Sequence, residues 1–216
     1  MAVILDATNL VLRDVQHLLN LQRQLNDSFT SLLSLQPVTE SEQNALAEIR
    51  QTFESYYEAG KILEGQIQFL FISPLMWLSG FHHPQIKISL EVGIADIDIE
   101  DAETKIKGRM DILAATRSRE EATVTALWVL LIESKNSSID ASEGLAQLLT
   151  YAYTGLTHQE AVWGVTTNGM DYQFVWVQKG ETPTYQLFPK LSLLYPEQSI
   201  QLLRVMKAIC QQHLDA

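Results

Sequence analysis

Apolar positions recur through residues 10–35 at spacings of three and four, at Val11, Val15, Leu18, Leu25, Phe29 and Leu32, with Gln22 at the one polar step. This period predicts an amphipathic helix that Gln36-Pro37 ends. Thr39 followed by Glu42 reads as a capping box and opens a second helix with Leu46, Ile49, Phe53 and Tyr56 on one face and Gly60 at its stop. The two helices together predict an N-terminal helical hairpin, residues 1–60, either packed on the main body or used for dimerisation. Residues 61–216 form the second unit. A third helix, Lys61 to Leu78, is apolar on most sides and is expected to be largely buried, with Glu64 near its start as the exception.

From Gln85 the period changes to two: Ile86, Ile88, Leu90, Val92 and Ile94 alternate with Lys87, Ser89, Glu91, Gly93 and Ala95, the pattern of a half-buried strand. The acidic stretch Asp96 to Glu103 leads into a second strand, Lys105 to Ala115, with Ile106, Met110 and Ile112 opposed to Lys107, Arg109 and Asp111. After a polar loop, Thr116 to Thr123, the segment Val124 to Lys135 carries the unbroken run Leu127 to Ile132, expected of a central strand covered on both faces. Asp140 and Glu143 cap a helix striped by Leu145, Leu148, Leu149, Ala152 and Leu156. Strands Ala161–Thr166 and Tyr172–Val177 flank an Asn168-Gly169 turn, and a last helix covers Glu197 to Leu214. Strands and helices in this order predict an α/β fold, a mixed central β-sheet flanked by helices.

The 216 residues are 46% hydrophobic and 19% charged, enough for one substantial core. The net charge of −11 argues against coating nucleic acid through bulk electrostatics. Its distribution softens that exclusion: Lys87, Lys105, Lys107, Arg109, Arg117 and Arg119 lie on or beside the strands, whereas acids concentrate in Glu40 to Glu58 and Asp96 to Glu103. Cys210 alone excludes an internal disulfide or a Cys-cluster zinc site. With neither a basic leader nor an apolar run near the roughly 20 residues of a membrane span, the expectation is a soluble, cytoplasmic protein.

Four charged side chains sit where stability alone would not put them: Glu64, Asp111, Glu133 and Lys135. Glu133 and Lys135, two apart at the end of a buried strand, share a face. A hairpin pairing Asp111 with Glu133 centres on Ala122, inside the polar loop, so the two carboxylates can be neighbours. Adjacent buried carboxylates repel unless a cation or proton intervenes. Oxygen ligands select Mg²⁺ or Mn²⁺, and a lysine beside the ion can serve a water or a phosphodiester transition state. This is the chemistry of metal-assisted phosphodiester hydrolysis.

Gly108-Arg109-Met110-Asp111, Ile132-Glu133-Ser134-Lys135 and Gln147-Leu148-Leu149-Thr150-Tyr151, in this order, resemble the PD-(D/E)xK nuclease superfamily, over residues 61 to 180. The resemblance is to small proteins related to the N-terminal nuclease domain of type I restriction enzyme motor subunits, through Glu64-Gly65-Gln66-Ile67, Pro74, Gly80-Phe81 and the Val165-to-Gly169 turn. It implies a restriction-endonuclease-like core and a Mg²⁺-dependent endodeoxyribonuclease, with Asp111 and Glu133 binding metal, Glu64 supporting it, Lys135 serving the attacking water and Gln147 at the edge of the site. No G-x-x-x-x-G-K-[ST] pattern accompanies it, so the chain is not itself a translocase subunit. The implied partner is DNA, held weakly by this chain alone, with a homodimer through the N-terminal helices or a partner protein supplying further grip, and no membrane.

Plainer readings stand beside each residue. Asp111, Glu133 and Lys135 can form a salt-bridged strand end without metal, Glu64 can be a first-turn carboxylate favoured by the helix dipole, and Gln147 can be an exposed residue opposite the leucine stripe. Asp96, Asp98 and Glu100 read as a solvated acidic turn, His82-His83 as a surface pair, and Trp77, Trp128, Trp163 and Trp176 as core. The alternative function is a non-catalytic module of the same fold that acts through self-association or partner binding.

Overall fold

The computed structural model describes residues 3–25, 28–94, 97–99, 104–117 and 126–214. The chain begins with β1 (Val3–Asp6), a 3₁₀ turn (Ala7–Asn9), α1 (Leu12–Leu18) and β2 (Gln22–Leu25). A second 3₁₀ turn (Phe29–Ser31) leads to α2 (Glu40–Ala59), started by the reciprocal Thr39–Glu42 capping box. Next come α3 (Glu64–Ile67), a π-helical turn (Gln68–Ile72) and α4 (Ser73–Leu78). Strands β3 (Ile86–Gly93), β4 (Ile97–Ile99), β5 (Thr104–Lys107), β6 (Arg109–Thr116) and β7 (Trp128–Ser134) precede α5 (Leu145–Gly155). The chain ends with β8 (Ala161–Thr167), β9 (Asp171–Gln178), β10 (Thr184–Leu187), β11 (Leu191–Ser192) and α6 (Pro196–Gln211).

The main sheet is mixed, in the order β2-β10-β9-β8-β7-β6-β3, with β11 paired to β9. Strands β3, β6 and β7 form an antiparallel meander, and α5 carries the chain to β8, which lies parallel to β7. As the apolar run predicts, β7 is central and covered on both faces: Leu130 and Ile132 join one core, Leu131 the other. The larger core holds residues of α2, α4 and α6. The smaller is built on α1 and α5, and includes every member of the leucine stripe.

Residues 10–35 do not form one helix. Leu19 and the left-handed Asn20 (φ 48°) end α1, and Gln22–Leu25 pairs as a strand, parallel to β10. The three-and-four spacing is real but serves two cores, since Val15 packs with α5 while Phe29 packs on the larger cluster, and Leu25 is 91% exposed. Tertiary pairing has overridden the local period, so the described part of residues 1–60 forms no helical hairpin. Instead α2 sits on the larger core through Leu46 and Phe53. There the Phe53 ring meets Phe71 edge-on at 5.0 Å and closes over Gly169, whose φ of +86° turns β8 into β9. A Cβ at Gly169 would lie 2.9 Å from the Phe53 ring, so the Asn-Gly turn and α2 are fitted to each other.

The expected strand Lys105–Ala115 is divided at Gly108. Its first half, β5, lies between β1 and β4 in a separate three-stranded sheet, which brings the N-terminal Asp6 and Thr8 beside the end of β6. The helical stretch after residue 61 is less buried than its composition suggests: Phe69 is 76% and Trp77 68% exposed. Of the other tryptophans, Trp163 is buried and Trp128 and Trp176 are half-buried. Asp96, Glu100, Arg119 and residues 118–125 of the polar loop lie outside the described residues. Among the described residues no helix is long and apolar enough to cross a membrane.

Phe53 is fully buried, so Phe53→Ala should cost about 3–5 kcal/mol in urea unfolding, the range of a deleted core aromatic. A loss below about 1 kcal/mol would show that α2 is not part of the cooperative core.

Candidate active site

The antiparallel register of β6 and β7 pairs Ile112 with Ile132 and Leu113 with Leu131. Continued by one residue, it sets Asp111 beside Glu133 at the end of the sheet. Glu64 at the start of α3, Lys135 just past β7 and Gln147 on α5 line the same cleft of about 830 Å³, together with Asp6, Thr8 and Arg109. All five residues singled out from the sequence therefore meet in one place. Four elements deliver them there: α3, β6, the end of β7 and α5.

Glu133 is 1% exposed. Its Oε1 accepts from Lys135 Nζ at 2.7 Å, while Oε2 is buried without a hydrogen-bond partner. Burial, and next the charge of Asp111, push its carboxyl up to about 8; the Lys135 ammonium offsets only part of this. Glu64 is raised for the same leading reason, burial, followed by repulsion from Asp111. Lys135 Nζ also donates to Gln147 Oε1 at 2.8 Å, so Gln147 faces the site instead of standing exposed behind the leucine stripe.

Several residues that hold this arrangement lie within or beside the quoted motifs but are given no role by the sequence. Ser134 donates from both its backbone N–H (2.7 Å) and its hydroxyl (2.8 Å) to Asp111 Oδ2, and its Oγ accepts from Gln68 Nε2 (2.8 Å) in the π-helical turn. Such turns recur at functional sites. Tyr151 Oη accepts from Gln147 Nε2 at 3.0 Å and from Arg109 N at 3.3 Å. Its ring lies so close to Gly108 that a Cβ there would stand 2.5 Å from it, which explains the glycine at the division between β5 and β6. The β3–β6 ladder skips the rung between Glu91 and Asp111. Glu91 is left-handed there (φ 56°) and takes Arg109 Nε at 2.5 Å. Ser134 is hidden to a period-two reading because its side chain leaves the face that Glu133 and Lys135 share.

Hard oxygen donors suit Mg²⁺ or Mn²⁺, and the unpartnered Glu133 Oε2 is an atom that a cation would satisfy. The expected three-carboxylate group is not formed, however: among the described residues, no three His, Cys, Asp or Glu side chains are placed to hold an ion. Asp111 Oδ2 is turned to Ser134 and Glu133 Oε1 to Lys135. The residues that could hold such an ion are the two carboxylates Asp111 and Glu133, a set small enough for Mg²⁺, which commonly keeps water and phosphate oxygens as its other ligands. His82 packs its ring on Trp77 at 4.6 Å, and His83 Nδ1 accepts from Gln85 N, so this pair stays a surface feature. Neither the family models nor the curated proteins compared with the chain match it.

The raised Glu133 carboxyl sets the sign of a pH effect. The folded protein holds this proton up to about pH 8, while the unfolded chain releases it near 4.5. The stability this contributes is complete below the lower value and is lost as pH rises across the window, at no more than about 1.4 kcal/mol per pH unit. In EDTA, Glu133→Gln should gain stability relative to wild type between pH 5 and pH 8 in urea titrations. A difference independent of pH would mean that Glu133 is ionised throughout.

Proposed function

We propose that the chain is a metal-dependent nuclease of the PD-(D/E)xK type that hydrolyses DNA phosphodiester bonds, with a restriction-endonuclease-like core. One observation carries this reading. A buried carboxylate with an unpartnered oxygen, Glu133, lies beside Asp111 in an open cleft and shares it with a lysine held by two hydrogen bonds. A protein core has no structural need for this combination, whereas phosphoryl-transfer chemistry uses each part.

Asp111 and Glu133 would hold Mg²⁺ or Mn²⁺, which when bound supplies Lewis-acid stabilisation of the phosphoryl oxygens and lowers the pKa of water. Lys135 positions the attacking water and balances charge on the phosphodiester as it passes to its transition state. Gln147, itself held by Tyr151, fixes the Nζ of Lys135, and Ser134 fixes the carboxylate of Asp111. Glu64 adds negative potential from the cleft wall, where it raises the affinity for a cation without being one of its ligands. Arg109, a second basic residue of the cleft beside Lys135, is engaged by Glu91, in keeping with weak DNA binding by this chain and a partner protein that adds grip.

The second reading, a non-catalytic module of this fold, is favoured by the Lys135–Glu133 ion pair, which opposes the two charges without metal. Cleavage separates the two. Wild type should cut plasmid or single-stranded DNA in millimolar Mg²⁺ or Mn²⁺, and Asp111→Ala and Lys135→Ala should be slower by on the order of 100-fold or more. Equal activity in all three would identify a contaminant. Millimolar Mg²⁺ should also raise the Tm of wild type through binding linkage and leave that of Glu133→Ala unmoved; the same rise in both would remove the metal site.

A further inference from the structure

A second groove, of about 510 Å³, runs between the α3–α4 helical stretch and the β3–β6 pair. It shares walls with the catalytic cleft. Glu64 and Asp111 line the cleft, and the next residues along the chain, Gly65 and Ile112, line the groove. Gln68, also on its wall, bonds to Ser134, which holds Asp111, so one hydrogen-bonded chain separates the two hollows. The floor is aliphatic, made by Ile112 with residues of β3. On the groove wall Phe69 is a large aromatic side chain 76% exposed, and His82 lines it too, backed by the exposed ring of Trp77. Arg117 stands at the same groove, with its Nε donating to Ile86 O at 3.2 Å, which pins a planar cation there. An exposed aromatic ring and a pinned guanidinium beside a phosphodiester-directed site offer a nucleobase what it binds: a flat apolar face and a positive charge for its phosphate.

We infer that this groove receives an unpaired base of a DNA strand, stacked on Phe69, with the strand's negative charge met by Arg117; the inference rests on the nuclease reading of the adjoining cleft. A duplex keeps its bases stacked on one another and cannot present a ring to Phe69 without unstacking it. The substrate class that follows is single-stranded DNA, or DNA with an unpaired end or bulge.

The test reads binding in EDTA, where no cleavage occurs, by fluorescence anisotropy of labelled oligo(dT) and of a duplex of equal length. Wild type should bind oligo(dT) on the order of ten-fold more tightly than the duplex. Phe69→Ala should lose on the order of ten-fold in affinity for oligo(dT), the scale of one stacked base, while Phe69→Trp retains it. Because Phe69 is exposed, both variants should unfold at the wild-type temperature. Equal binding of the two DNAs, unchanged oligo(dT) binding in Phe69→Ala, or a wild-type dimer that Phe69→Ala dissociates would each overturn the proposal, the last by showing a second copy in the groove. Phe69-dependent binding in a protein that cleaves nothing upholds the groove and removes the nuclease reading. Asp111-dependent cleavage with normal oligo(dT) binding by Phe69→Ala does the reverse.

Discussion

Glu133 is buried at the end of the central strand with only one of its two oxygens hydrogen-bonded, and much of the surrounding structure can be read as a response to that. A buried carboxylate is tolerated when it is protonated, paired or bound to a cation, and its surroundings supply the first two. Its raised affinity for a proton is the first and the bond from Lys135 the second. Asp111 alongside it in the open cleft adds a second carboxylate, whose charge raises that proton affinity further. A buried carboxylate neutralised in this way is costly for stability, and groups of this kind cluster where chemistry is done.

What keeps the group in place is the sheet. The β6–β7 register brings Asp111 to Glu133, and β7 lies between β6 and β8 with both faces covered, so neither strand can slip without moving an entire set of apolar side chains. Around this rigid end, polar side chains form two short relays: Gln68 to Ser134 to Asp111, and Lys135 to Gln147 to Tyr151. The first ties the site to the helical stretch that also walls the aromatic groove. The second ties it to α5, where Tyr151 closes on Gly108 at the point where the chain leaves one sheet for the other. The cleft and the neighbouring groove thus depend on the same few contacts.

The N-terminal part shows how far a local pattern can be trusted. Thr39 and Glu42 make a start signal that depends only on residues three apart, and α2 begins where they place it. The spacing from Val11 to Leu32 is equally regular, yet it mixes positions that face opposite sides of the main sheet, and an exposed strand paired with β10 interrupts it. Nothing within those residues distinguishes one apolar partner from another. In the same way, the alternation from Lys105 to Ala115 suits a strand but cannot show that the strand changes sheets at Gly108.

The sequence by itself determined the order of the central elements, the strand end that carries Glu133 and Lys135 on one face, the leucine stripe of α5 and the Asn-Gly turn, because each depends on the period of a single element or on neighbours within a few residues. The tertiary structure alone decided that Glu64 and Gln147 face Asp111 and Glu133, that Ser134 and Tyr151 hold them, that the three carboxylates stop short of a common metal group, and that Phe69 and Trp77 stay on the surface. These outcomes turn on which distant segment fills the space above a given face, and hydrophobic burial, being non-directional, leaves no record of that choice in the pattern of any one segment.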